Sequence, residues 1–234
     1  MGYTDIMIGE CIYNIYSFTE PYRHQYGSFF NRIKDMEKDQ ENGKITVVNL
    51  IDTLALFNDI SVIDDSNDQT HCIFKNLAPW VKLVDDHLGD VEFISVLFNT
   101  KSIDYNVRNI RKLDTLQQTI RLITISKLGS ICCFDNSGDL NTLITRDDGA
   151  NTARFQEFYD LYVPHQSDTQ GKIMAVNDTF NYSEANDKWI HYLANTNTNT
   201  NTNTNTNTEP PQTHQTTKLS ARKTVQEFLS NLMV

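Results

Sequence analysis

The chain has 234 residues, of which 39% are hydrophobic and 21% charged, and its formal net charge is -10. A chain of this length can bury one sizeable core or two small ones. The negative charge argues against nucleic acid as a partner and against an anionic membrane surface, because phosphate groups need a positive field.

The apolar segments are too interrupted to predict a membrane-spanning helix, which needs roughly 20 apolar residues. The longest candidate, residues 45–63, is broken by Asn49, Asp52, Asn58 and Asp59. We therefore expect a cytoplasmic protein that meets a membrane only if the chain is a fragment of a larger one. The scattered cysteines lack the spacing of a zinc site and are typical of reduced, buried thiols.

Apolar periodicity predicts a mainly helical N-terminal half followed by strands from about residue 91. The predicted helices lie at residues 3–17, 22–39, 45–58, 75–88 and 105–120. The predicted strands lie at residues 91–98, 121–126 and 130–135. A late helix, SEANDKWIHYLA, follows Ser183 as a possible N-cap. The class is therefore α/β or α+β, with a possible partial Rossmann-like core.

The composition divides the chain into three parts. Residues 1–194 have the composition of a globular region. Residues 195–217 contain a pure Asn-Thr repeat, which has no apolar side chain to bury and predicts a disordered low-complexity linker. Residues 218–234 predict an amphipathic helix that could dock on a protein partner; its apolar face would carry Val225, Phe228, Leu229 and Leu232.

The segment LGSICCFDNSGDLNT, residues 128–142, is the stretch that points most directly to chemistry. An apolar run ends in Asp135, and Ser137 and Gly138 follow. A carboxylate at the tip of a buried strand can accept a phosphoryl group when Mg²⁺ neutralises the charge and loop amides hold the phosphate. Asp135 is thus the candidate phosphate acceptor and Mg²⁺ ligand, and Ser137 and Gly138 form the candidate phosphate loop.

This segment resembles the phosphorylation motif of P-type ATPases, in which an apolar strand runs into D-K-T-G-T-L-T. Asp135 falls on the phosphorylated aspartate, Gly138 on the glycine and Leu140 on the leucine. The resemblance implies a haloacid dehalogenase-like core with Mg²⁺ as cofactor. The sequence CCFD is most similar to the pumps of the endoplasmic reticulum, which implies a location on the cytosolic face of that membrane.

The same segment departs from the motif where activity depends on it. Asn136 replaces the lysine, and Asp139 replaces the second threonine. A second carboxylate about 4 Å from the phosphate would repel it by roughly 4 kcal/mol at an effective dielectric constant near 20. We therefore expect a decayed pseudoenzyme in which aspartyl-phosphate ATPase or phosphatase chemistry is lost. The competing interpretation is that Asp-Asn-Ser-Gly forms the turn of an ordinary β-hairpin.

Two functions follow. In the first, the chain is a cytosolic segment or decayed relative of a P-type-ATPase-like membrane protein. In the second, it is a soluble, non-enzymatic interaction or adaptor protein that binds a protein partner through its C-terminal helix. The two hypotheses differ in whether the strand at 130–135 is central and parallel or one arm of a hairpin.

Overall fold

The computed structural model describes most of the chain between residues 2 and 196. The described residues are 2–8, 11–18, 26–38, 44–61, 68–134, 139, 142–144 and 152–196. The strands are β1 (Gly2–Ile8), β2 (Cys11–Ser17), β3 (Thr46–Asp52), β4 (Glu92–Phe98), β5 (Ser130–Cys133) and β6 (Tyr162–Val163). The helices are α1 (Tyr26–Lys38), α2 (Thr53–Ser61), α3 (Gln69–His87), α4 (Ile110–Ser126), α5 (Gln170–Met174) and α6 (Tyr182–Asn195). The fold is α/β, which confirms the predicted class.

Residues 25–196 form one compact unit, and the β1–β2 hairpin belongs to another. The predicted boundary at residue 194 falls inside α6, which continues to Asn195. The predicted linker and C-terminal helix lie almost entirely outside the described residues, so the three-part division stays a prediction. Within the described ranges, no helix is both long enough and apolar enough to cross a membrane.

The predicted helix at residues 3–17 is wrong, because this region forms a two-stranded hairpin. β1 and β2 pair antiparallel, from Gly2 opposite Ser17 to Ile8 opposite Cys11. Both strands are rich in Ile and Tyr, which occur more often in strands than in helices. The dipeptide Gly9-Glu10 between them matches the Gly-X pattern of two-residue hairpin loops.

The predicted helix at 45–58 is two elements, the strand β3 and the helix α2. β3 contains Val47, Val48 and Ile51, which are β-branched and lose side-chain freedom in a helix. The change of structure falls at Asp52, whose carboxylate accepts a hydrogen bond from the backbone N–H of Ala55 at 3.1 Å. A strand that ends on a capping residue can pass directly into a helix, so strands are not confined to the region after residue 91.

The central sheet has the order β3-β4-β5-β6. β3, β4 and β5 are parallel, and β6 is antiparallel to β5. The segment predicted as a strand at 121–126 belongs instead to α4. β5 is an internal strand between β4 and β6, and residues 142–144 are helical. These facts contradict the hairpin interpretation of residues 130–144.

The helices α3 and α4 connect successive parallel strands. Both crossovers step the same way across the sheet, which places the two helices on one face when both are right-handed. They pack against each other, and the hydroxyls of Ser95 on β4 and Thr124 on α4 lie 2.8 Å apart. Trp189 of α6 is buried and donates a hydrogen bond from Nε1 to the hydroxyl of Ser126 at 3.1 Å. Asn181, and not Ser183, caps α6 by accepting from the N–H of Glu184.

The Leu-Gly pair before β5 has a structural role. Leu128 lies just after α4 with a φ of 50°, and Gly129 then enters the strand. A Cβ on Gly129 would lie 2.6 Å from the carbonyl oxygen of Phe93, closer than van der Waals contact allows. The close approach of backbone to backbone therefore requires glycine at this position.

Candidate functional site

The carboxyl ends of β3, β4 and β5 meet at one edge of the sheet, the edge at which open α/β sheets usually bind ligands. At this edge β3 ends in Asp52, and Asn99 and Phe134 directly follow β4 and β5. The strand ladder extends to Phe134, whose N–H donates to the carbonyl of Leu97 at 2.9 Å. Asp135 follows Phe134 directly in the sequence. In the sequence, the predicted site therefore comes directly after an internal parallel strand.

Asp135, Ser137 and Gly138, the predicted acceptor and phosphate loop, lie outside the described residues. Their roles stay predictions. Among the described residues, no three or more His, Cys, Asp and Glu side chains come together to hold a metal ion. The predicted Mg²⁺ therefore also stays a prediction that rests on Asp135.

The carboxylate of Asp52 at this edge has a structural role. Besides the N–H of Ala55, it accepts a hydrogen bond from Nδ2 of Asn99 at 3.1 Å. Asn99 has a φ of 58°, a conformation that asparagine tolerates better than most residues. The buried hydroxyl of Thr53 donates to the carbonyl of Phe98 at 2.5 Å. These bonds join the start of α2 to the end of β4, and both bonds to Asp52 engage its Oδ1.

The rest of the edge is aromatic. Phe98 and Phe134 stack with their ring centroids 4.1 Å apart. The hydroxyl of Tyr105 donates to the carbonyl of Thr100 at 2.8 Å. Burial raises the pKa of Tyr105, and the nearby Cys133 and Tyr159 add to the shift. Tyr105 is therefore a neutral hydrogen-bond donor at neutral pH, unsuited to act as a base.

Asp139, which the sequence predicted would repel a phosphate, has a partner. Its buried carboxylate forms an ion pair with Arg154, whose Nε also lies 2.9 Å from a carboxylate oxygen of Asp160. Burial alone would lower the pKa of Arg154, but the two carboxylates outweigh it and the pKa is raised. The charge of Arg154 compensates that of Asp139. The repulsion of about 4 kcal/mol predicted between Asp139 and a phosphate was for an unpaired carboxylate, so it does not apply to Asp139 in this ion pair.

The adjacent thiols are buried in the core beside this ion pair. Burial raises the pKa of Cys132 well above its ordinary value. The thiol of Cys133 donates to the carbonyl of Phe158 at 3.2 Å. The thiol of Cys132 is therefore not activated as a nucleophile, since reactivity requires the thiolate.

A polar stripe on α4 is the part of the molecule that sequence reasoning missed. Gln117, Gln118 and Arg121 are all buried. Gln117 donates to the carbonyl of Phe155, and Gln118 donates to the carbonyls of Ile173 and Asn177. This stripe fixes the backbone of Phe155, before β6, and the segment between β6 and α6 against the helix.

Arg121 is the most deeply buried charge of that stripe. It is fully inaccessible and binds Asp168 with two hydrogen bonds of 2.8 and 2.6 Å. Its guanidinium also lies 5.0 Å from the centroid of the Phe155 ring. A planar guanidinium suits this combination of a carboxylate fork and an aromatic face.

The loop between β4 and α4 carries a second feature, an exposed apolar surface. Val107 is 85% exposed and Ile110 46% exposed. Tyr105 packs edge-to-face on Tyr159 with the ring centroids 5.3 Å apart. The loop is held by its own hydrogen bonds, because Nδ2 of Asn109 donates to the carbonyl of Asp104 at 2.9 Å. It therefore presents apolar side chains to solvent in a fixed conformation.

Comparison with known proteins bears on the fold. No protein-family model matches the chain, and no curated protein does. Among solved structures, the chain is similar to the conserved domain of a dynein light intermediate chain, with 14% sequence identity and a TM-score of 0.56. The match covers 96% of this chain and 88% of that one. At this identity the likeness shows the fold alone: the chain has the α/β architecture of that domain.

Proposed function

We propose that the chain is a non-enzymatic, protein-binding subunit of a larger cytoplasmic assembly, comparable in its role to a dynein light intermediate chain. The observation that carries this proposal is the extent of the structural likeness, which covers 96% of this chain and 88% of the other. A shared βαβ core alone would match a smaller part of both chains, because that core recurs in many folds with unrelated functions.

The geometry of the sheet edge supports a binding role over catalytic turnover. Oδ1 of Asp52 accepts hydrogen bonds from the N–H of Ala55 and from Asn99, and Tyr105 keeps its proton at neutral pH. A general base or nucleophile needs an available lone pair and a pKa near the working pH. Tyr105 does not meet that requirement.

Purification of the tagged full chain from its native cells tests this proposal. We expect dynein subunits, identified by mass spectrometry, to elute with the chain in constant ratio through a sizing column. The recombinant chain should hydrolyse neither ATP nor GTP above the buffer rate in the presence of Mg²⁺. A chain that elutes without dynein subunits, or Mg²⁺-dependent hydrolysis that copurifies with it, would contradict the proposal.

The P-type-ATPase-like segment is kept as a second proposal because of one observation, namely that β5 is internal and parallel. Asp135 follows this strand in the sequence, which supports the proposal only weakly, because any α/β fold has internal parallel strands. Binding of beryllofluoride in the presence of Mg²⁺ tests it. Binding should be abolished by Asp135→Asn, and equal binding in both forms would exclude Asp135 as the acceptor.

A further inference from the structure

The loop before α4 and the first turn of α4 form a surface that combines exposed apolar and exposed basic side chains. We call it the edge patch. It consists of Tyr105, Val107, Arg108, Ile110, Arg111 and Tyr159. Tyrosine and arginine are the residue types most enriched at protein interfaces, together with tryptophan.

The edge patch has the opposite charge to the chain as a whole. Residues 101–112 contain four basic side chains and one acidic one, whereas the whole chain has a net charge of -10. Neither Arg108 nor Arg111 forms an ion pair with a residue that the structure describes. A positive patch on a negative protein selects a negatively charged partner and steers its approach.

Folding does not account for the basic residues of this patch. Arg111 lies in the first turn of α4, which contains no acidic side chain, and Asn109 makes no side-chain capping bond. A positive charge there opposes the helix dipole, whose positive end lies at the N-terminus. A negative group from outside the chain would relieve this repulsion.

The patch is also pre-organised for binding. Ile103 is 3% exposed and anchors the loop in the core, while Val107 four residues later is 85% exposed. The amide of Asn106 donates to the carboxylate of Asp104 at 2.6 Å, and the N–H of Asn109 donates to the carbonyl of Asn106 at 3.0 Å. A loop that is already ordered loses less conformational entropy when a partner binds.

We propose that the edge patch binds an acidic amphipathic segment of a protein partner. Carboxylates of that segment lie beside Arg108 and Arg111, and an apolar side chain covers Val107 and Ile110. A protein segment fits better than an anionic membrane, because the net charge of -10 on the whole chain opposes its approach to an extended anionic surface. This inference rests on the proposed function only in assuming that the ligand is a protein.

Selection from a random-peptide display library on the isolated full chain tests the inference. Enriched peptides should carry at least two carboxylates together with an aliphatic or aromatic residue. Their binding should weaken severalfold when the salt concentration is raised from about 0.05 to about 0.3 M. The paired variant Arg108→Glu with Arg111→Glu should lose at least about tenfold in affinity, and Val107→Ser should lose severalfold.

The matched control is Arg32→Glu with Lys75→Glu, which makes the same change in net charge at exposed positions of α1 and α3. It should bind the peptides as the wild type does. Selection of peptides without carboxylates, no selection at all, or equal loss in both paired variants would overturn the proposal. Binding to vesicles of phosphatidylcholine and phosphatidylserine, without any peptide selected, would assign the patch to lipid and overturn it too. None of these results depends on dynein co-purification, so the two proposals can fail separately.

Discussion

Apolar side chains are usually buried and polar ones exposed. The middle of α4 and the surface at its beginning break this rule in opposite ways. The middle buries Gln117, Gln118 and Arg121, whereas the surface exposes Val107 and Ile110. The two departures differ in whether the chain itself supplies the partner. Each of these buried side chains donates to a carbonyl or carboxylate within this chain, although Oε1 of Gln118 and one terminal nitrogen of Arg121 have no hydrogen-bond partner among the described residues. The chain itself therefore supplies the main partners.

The exposed apolar side chains have no such internal explanation. Val107 is 85% exposed on a loop that is held in place by its own hydrogen bonds. Single exposed apolar residues are ordinary, but a group rimmed by one sign of charge marks an interaction site. We infer that the middle of α4 serves stability and that its beginning serves recognition, a separation that mutations can test.

The largest expected effect is that of Arg121→Met. It leaves Asp168, whose side chain is 8% exposed, without its cation, and removal of one partner from a buried pair costs about 3–5 kcal/mol. Urea unfolding followed by circular dichroism measures the free energy of unfolding. The double variant Arg121→Met with Asp168→Asn should recover part of the loss, because no uncompensated charge is left. If the single variant lost less than about 1 kcal/mol, the stripe would not be a stability element.

A smaller loss is expected for Gln118→Leu. This change removes one donor from each of the carbonyls of Ile173 and Asn177. Both carbonyls keep a backbone N–H donor, so the expected cost is that of a lost hydrogen bond, about 0.5–1.5 kcal/mol each. Gln117→Leu is the matched comparison, since it releases the carbonyl of Phe155 alone. The same unfolding measurement should rank Gln118→Leu as the more destabilised variant. The reverse order would mean that the remaining backbone donors satisfy both carbonyls, whereas the carbonyl of Phe155 is left without a donor among the described residues.

The sequence predicted the helices and strands whose apolar residues follow one period over their whole length. It missed those whose apolar pattern is short or fits two periods. Strand β4 was expected at 91–98 and is observed at Glu92–Phe98. The apolar run at 45–58 fits both helical and strand periods over part of its length, and it has no Gly or Pro to mark the change at Asp52. Tertiary pairing decides such cases, as it does for β1 and β2.

The candidate sites show the same limit. An aspartate after an apolar strand was recognisable at Asp135, because the signal is local. The pair of Arg121 and Asp168 was not, since the two residues are 47 positions apart. The edge patch was not predictable either: Ile103 and Val107 are similar side chains in one short segment, yet one is 3% and the other 85% exposed. Burial depends on the fold, which the local pattern does not specify.

A stabilising effect is expected at the C-terminal end of α4. Leu128 adopts a φ of 50° while its side chain is 64% exposed. An L-residue in the left-handed region costs about 1–2 kcal/mol, and glycine avoids that cost at the price of a more flexible unfolded chain. Leu128→Gly should therefore raise the free energy of unfolding by about 0.5–1 kcal/mol. No gain would mean that the leucine side chain makes a compensating contact.

The smallest and most discriminating effect is expected for Arg111→Glu. A glutamate in the first turn of α4 interacts favourably with the helix dipole where arginine does not, so the isolated chain should gain about 0.3–1 kcal/mol in the free energy of unfolding. The same change should weaken peptide binding to the edge patch, because the carboxylates of the ligand would then face a like charge. A structural role for Arg111 predicts loss of stability, and a neutral role predicts no change in either measurement. Opposite changes in stability and binding are expected only if the basic charge is retained for a partner at the cost of the fold.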